Sequence, residues 1–309
     1  MVFKRQPGPL GVGGPTVDTV LDAGAVRPGG TLSGRVELAG GTDGHDVEQV
    51  VLELVARVET APGEPGAGES GAGESGAGES GDGEPGDGAG VVTFGRYPVG
   101  GAFRLAAGER REVPFSVRLP WETPVTELRG RPLGLTLGVR AEPAAGGDGD
   151  RSDPAPLRVA PLPAQEAVLE AFEQLGFGLR SAGLEHGRIG GTGQRLPFRQ
   201  EIGLTPSARY AHQLDEIELT FLAVPDALEV VLETDKRGGP SSGGGHDALS
   251  RFTVPHTGPA GPQDWDDLVD GWIRESVEHR ESYDCHAVFG HESPAPSPPS
   301  TPSASSTEV

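Results

Sequence analysis

Residues 17–41 constrain the fold more tightly than any other stretch of this chain. Val17, Thr19, Val20 and Leu21 make a short run rich in β-branched and apolar side chains. Arg27-Pro28-Gly29-Gly30 follows, with φ fixed at Pro28 and glycines free to take positive φ. Leu32, Gly34, Val36 and Leu38 then alternate with Ser33, Arg35 and Glu37, which is the period of a half-buried strand, and Gly40-Gly41 closes the run. Such a strand leaves one apolar face that a second layer must cover, so the stretch predicts a β-sandwich. It does not predict chemistry.

The same code recurs along the chain. Val50, Leu52, Leu54, Ala56 and Val58 alternate within residues 45–59, and their valine content favours a long central strand over a helix. Further strands are expected at residues 91–94, 104–119, 133–139 and 157–159, then at 198–204, 217–221, 228–232 and 249–254. Between these groups the period changes. Ala164, Val168, Ala171, Phe172 and Leu175 lie on one helical face, with Gly176 as its stop. A second helix is expected over residues 264–279, where Asp264 serves as N-cap and Trp265, Leu268, Trp272, Ile273 and Val277 share a face.

Several segments resemble the SpoOM sporulation-control family: residues 11–21 and 26–41 at the opening, then residues 109–120, 197–206, 212–223 and 228–239. The resemblance covers most of residues 1–290. It implies an all-β fold of two arrestin-like β-sandwich lobes with a helix at their junction, no catalytic apparatus, and a role in developmental control such as sporulation. On this reading residues 1–160 form the first lobe, residues 161–290 a second β-sandwich lobe carrying helices near 164–175 and 264–279, and residues 291–309 a disordered tail. The chain departs from the family at its start, where Pro7, Gly8 and Pro9 interrupt the position of a short amphipathic helix.

The 309 residues suffice for two domains with their own cores. A net charge of −21 disfavours nucleic acid and anionic membrane surfaces as partners, since both repel such a protein. Part of that charge lies in residues 61–90, where a Gly-Ala-Gly-Glu-Ser unit repeats and then decays. No side chain there is apolar beyond alanine and proline, so nothing offsets the entropy of ordering, and a disordered insertion is expected. The one cysteine, Cys285, excludes an intramolecular disulfide. With no apolar run long enough to span a bilayer and no signal-peptide pattern, the expectation is a cytoplasmic chain.

Chemical motifs fail at named residues. Gly11-Val12-Gly13-Gly14 lacks the spacing of a nucleotide loop and reads as turn glycines. Aligning Asp270-Gly271 to a calcium loop places Leu268 and Val277 where oxygen ligands are required. The histidines at 45, 186, 212, 246, 256, 279, 286 and 291 contain no zinc-protease pair, and their bland reading is as surface or hydrogen-bonded side chains. Cys285-His286, taken as neighbours on a strand, would face opposite ways and could not act as nucleophile and base. No catalytic, metal or cofactor residue is therefore named.

What remains is binding. The expected function is a non-enzymatic regulator or adaptor that binds protein partners through its sheets, with self-association possible. A ligand or enzyme pocket between the lobes, and a self-assembling structural protein, are the alternatives from other classes. The candidate partner edge is the opening strand, Thr16, Val17, Asp18, Thr19, Val20 and Leu21, which is short and follows a glycine-rich lead.

Overall fold

The structure, a computed structural model, describes residues 15–59, 89–145, 152–234, 248–257 and 262–289. Ten strands come first: β1 (Thr16–Leu21), β2 (Thr31–Ala39), β3 (His45–Glu59), β4 (Ala89–Gly100), β5 (Phe103–Leu105), β6 (Arg110–Arg118), β7 (Glu127–Leu128), β8 (Arg131–Pro132), β9 (Leu137–Ala145) and β10 (Ala155–Pro156). Helix α1 (Pro163–Gln174) follows, then β11 (Gly178–His186), β12 (Phe198–Thr205), β13 (Ile217–Ala223), β14 (Ala227–Thr234), β15 (Ala248–Pro255) and helix α2 (Pro262–Phe289).

In the first half of the chain two sheets face each other. One is the three-stranded sheet β1-β2-β6, antiparallel throughout. Opposite it lie β9, β3, β4 and β5, and the two layers share one core that runs from Leu32, Val36 and Phe115 to Leu52, Leu54 and Val139. β3 is the long central strand that its alternation predicts: Val50, Leu52, Leu54 and Ala56 are all fully buried. Its other face is covered at Glu53 as well, which is 2% exposed and ion-paired to Arg140 at 2.7 Å and to Arg96 at 3.4 Å.

β3 also joins the halves. Glu59 pairs in parallel with Glu185 of β11, so one ten-stranded sheet continues from β9 and β3 through β11 to β15. Polar ties reinforce this seam. The buried amide of Gln200 exchanges two hydrogen bonds of 2.8 Å with the backbone of Val125, and Arg27 Nε donates to the carbonyl of Pro161 at 3.0 Å. Paired donors and acceptors matter here because an unpaired buried amide would cost roughly 1–3 kcal/mol.

Beyond the seam, helices α1 and α2 cover the apolar face of β12–β15. Phe172, Val168, Trp272, Ile273 and Val277 pack with Ile202, Leu219, Val230 and Leu232 in a second core. Helix α1 begins at Pro163, a residue suited to the first helical position, and the Gln165 side chain accepts the Leu162 N–H at 2.8 Å. It ends where Gly176 takes φ +86°, as expected for a glycine stop. The Trp272 ring of α2 stacks on Phe252 of β15 with ring centroids 5.0 Å apart.

Some expected boundaries move. Residues 133–139 are not one strand: Gly134 takes φ +85°, β7 and β8 form a small hairpin before it, and β9 starts only at Leu137. The short strand near residue 157 is Ala155–Pro156 instead, with Val159 making an isolated bridge to Val26. Ala89 and Gly90 belong to β4, so the expected insertion overlaps a strand at its end; residues 60–88, the N-terminal 14 residues and the tail from residue 290 lie outside the described residues. Asp264 is not an N-cap, because α2 begins two residues earlier and places Asp264 in the first turn, where its charge still complements the helix dipole. α2 also runs ten residues past its expected end.

Candidate functional site

The candidate edge, Thr16 to Leu21, forms β1. Its β-branched residues suit a pleated surface, and its six residues pair in register with β2 from Thr16↔Ala39 to Leu21↔Gly34. β1 is the terminal strand of its sheet, with β2 on one side only. Thr16 and Asp18 are exposed, while Val17 and Leu21 lean on the first core. The outer side is not bare. Thr19 Oγ1 lies 3.2 Å from Ser152 Oγ, and Ser152 Oγ in turn accepts the Ala141 N–H of β9 at 2.8 Å. Just after β1, Val26 exchanges backbone hydrogen bonds with Arg158 and Ala160. The structure thus keeps the six residues together on one terminal strand and ties its middle to the neighbouring segment through one hydroxyl pair.

A second feature is a cleft of about 600 Å³ where the β7–β8 hairpin meets α1 and the start of β11. Leu128, Leu133, Leu169, Phe172 and Leu179 supply most of its walls. Leu179 is 51% exposed, high for a leucine. The charged groups at the cleft are Arg129, Arg131 and Glu173, and Arg129 donates to Glu173 at 2.8 Å. The guanidinium is pushed above its ordinary pKa by that hydrogen bond and by the negative field of α1. Position 129 sits in the left-handed region at φ 50°, the one described non-glycine to do so. Sequence reading places Leu133 on a strand and Phe172 on a helix face but gives no cleft, because the cleft arises only when the hairpin folds against the helix.

The carboxylates with displaced pKa values lie elsewhere. Glu201 of β12 is pushed up to about 8 by burial, by a hydrogen bond with Glu185 and by the charges of Glu185 and Glu218, against the opposing pull of Arg199. Asp270 of α2 is 6% exposed. Burial works to raise its pKa, but hydrogen bonds from Arg274 and Tyr210 and the charge of Arg209 outweigh burial and hold it below the ordinary carboxylate value. The Tyr210 hydroxyl donates to it at 2.7 Å and Arg209 at 3.0 Å, which fixes α2 to the turn before β13.

Among the described residues no three His, Cys, Asp or Glu side chains gather as metal ligands. Cys285 and His286 lie in helix α2, not on a strand, so the opposite-faces argument does not apply to them. His256 stacks on Trp121 with ring centroids 5.2 Å apart and bonds to the carbonyl of Val224. No described helix is long and apolar enough to cross a membrane.

Packed sheets continued through a shared long strand, one helix at the junction and another toward the C-terminal end define the class: a mostly β, arrestin-like protein whose first half is a β-sandwich and whose second half carries its sheet beneath two helices. The comparisons with known proteins narrow this. The model of the SpoOM protein family matches residues 3–238, and the chain belongs to that family. The sporulation-control protein spo0M of Bacillus subtilis (strain 168) is 31% identical over 236 residues, covering 76% of this chain and 81% of the relative. The crystal structure of Spo0M from the same organism superposes with a TM-score of 0.66 at 27% identity, covering 87% of this chain and all of that one.

Proposed function

We propose that this protein is a non-enzymatic regulator in the control of sporulation that acts by binding protein partners. The observation that carries the reading is the family match over residues 3–238, joined to a relative named for sporulation control. The mechanism follows from architecture. Terminal strands of open sheets carry backbone N–H and C=O groups that can accept a partner's strand, and β1 is such a strand. Its outward residues are polar or weakly apolar, which keeps an edge soluble. Thr16–Leu21 is therefore the proposed contact for an unidentified protein partner in the cytoplasm.

Two proline variants test the edge. Successive N–H groups of a strand point to opposite sides, so Asp18→Pro and Thr19→Pro remove one donor from the ladder to β2 and one from the outer side. Spore yield is measured in a strain lacking the protein and complemented with each variant, after a circular-dichroism check that each is folded. The expected result is loss of complementation by the folded variant whose missing donor faces outward. Full spore yield in the deletion strain would overturn the regulatory role. Complementation by both folded variants would remove the edge from it.

A further inference from the structure

The loop between β11 and β12, residues 187–197, concentrates positive charge in a chain whose net charge is −21. It carries Arg188 and Arg195, and Arg251 of β15 reaches it from across the sheet. All three side chains belong to exposed residues. The other described arginines on this half of the molecule have carboxylate partners: Arg180 pairs with Glu216, Arg199 with Glu185 and Glu201, and Arg209 and Arg274 share Asp270. The loop arginines bond to carbonyls instead. Arg188 Nη2 donates to the Arg195 carbonyl at 3.1 Å, and Arg251 Nη1 to the Gly191 carbonyl at 2.5 Å. Among the described residues none of the three has a carboxylate partner.

The loop that presents them is held from within. Gln194 is 7% exposed, and its Nε2 lies within 3.1 Å of the carbonyls of Gly187, Leu196 and Phe198 while Oε1 accepts the Ile189 N–H at 3.0 Å. Thr192 Oγ1 donates to the Ile189 carbonyl at 2.8 Å. The Glu122 carboxylate sits at the loop, and its oxygens accept the backbone N–H groups of Arg195 and Leu196 at 2.8 to 2.9 Å. A charge occupied by main-chain donors secures the loop from below and leaves the guanidinium groups facing solvent.

We propose that this loop is a docking surface for an acidic segment of a partner protein, rich in Asp and Glu. Guanidinium forks pair with carboxylates through two charge-assisted hydrogen bonds, and a preorganised fork loses little entropy on doing so. Anchorage of the arginines at two separate carbonyls spreads the charge along the loop, which suits successive carboxylates better than one small anion. A nucleic acid or an anionic membrane would extend past the loop over a chain whose net charge is −21 and be repelled by it. A short acidic peptide touches only the basic patch. The assignment rests on the protein-binding reading, yet uses a surface separate from β1.

The test is fluorescence anisotropy of a labelled poly-Glu peptide titrated with the full chain at low salt, with poly-Lys, inorganic phosphate, single-stranded DNA and phosphatidylserine vesicles as parallel probes. Poly-Glu is expected to bind, to weaken as salt rises, and to lose about tenfold or more in affinity in the triple variant Arg188→Gln, Arg195→Gln, Arg251→Gln. Arg110→Gln, an exposed arginine of β6, is expected to bind as the wild type does. An unchanged thermal midpoint establishes that the triple variant is folded; should it fail to fold, Arg188→Gln alone is read in its place. Failure of wild-type chain to bind poly-Glu, equal binding by the variant, or a preference for phosphate, DNA or vesicles at this loop would each overturn the proposal. Because the readout is poly-Glu binding by the loop and not spore yield, failure here is separable from failure of the β1 edge.

Discussion

The two cores of this protein are covered in different ways. In the first, a three-stranded sheet lies over β3 and β9, and both layers are built from alternating strands. In the second, α1 and α2 lie over β12–β15, and the core is completed by Phe172, Trp272 and Ile273 from helices far apart in sequence. The difference shows where each core draws its strength. A sheet-on-sheet core spreads burial over many aliphatic side chains of similar size, whereas the helical cover concentrates it in a few large rings.

The sharpest way to break that contrast is to cut one large side chain from each core. Trp272→Ala is expected to cost roughly 3–5 kcal/mol and Leu54→Ala roughly 2–5 kcal/mol, read from urea unfolding of each variant. If the helical cover is as concentrated as its packing indicates, the tryptophan variant lies above the leucine one. A Trp272→Ala protein of wild-type stability would show that the α2 face is not core.

Asp270 supplies the next effect. Three donors surround it, but two are arginines whose heads are more than half exposed, so the carboxylate leaves no deeply buried cation behind when removed. Asp270→Ala is expected to lose about 1–3 kcal/mol. Its pKa is depressed in the folded state, so its contribution is present above the unfolded value and fades as pH falls through the folded one. The stability difference between wild type and variant, measured at neutral pH and again at strongly acidic pH, should therefore shrink on acidification.

Glu201 gives the opposite sign. Its folded pKa of about 8 lies above the ordinary value of 4.5, so the folded state holds a proton that the unfolded state has released. Its contribution is complete below the lower value and is lost as pH rises through the upper one. The wild type should lose stability between those limits, and Glu201→Gln should flatten that decline. An identical pH profile in the variant would show that Glu201 is not the carboxyl that the fold holds protonated.

The smallest expected effect concerns residues 61–88. Replacing them with a short Gly-Ser linker between β3 and β4 should leave the unfolding midpoint nearly unchanged, because loop-closure entropy varies by only about 0.6 kcal/mol per doubling of length. A loss of several kcal/mol would mean that the segment packs on the first core.

Much of the strand code was legible beforehand because alternation along one strand is a local property. Val50, Leu52, Leu54 and Ala56 announce their shared face from sequence alone, and all four are fully buried. The spacing of Ala164, Val168 and Phe172 announces the covered face of α1 in the same way. β11 was not legible: Gly178, Ser181 and Gly183 dilute its pattern, and it is a strand because β12 and the end of β3 supply its hydrogen-bond partners. The break at Gly134 was hidden too, since Leu133, Leu135 and Leu137 keep the period of a strand through a backbone turn.

By itself, then, the sequence determined the all-β class, the long central strand and the junction helix, each resting on spacing within a few turns or residues, while the family rested on the resemblance of several segments. Tertiary structure alone decided that β3 carries the sheet from one core into the next and that Thr19 meets Ser152 across 133 positions. It also decided that Arg251 joins Arg188 and Arg195 at one loop. These are contacts between residues remote in the chain, and no local period encodes which remote partner a side chain will meet once the layers close.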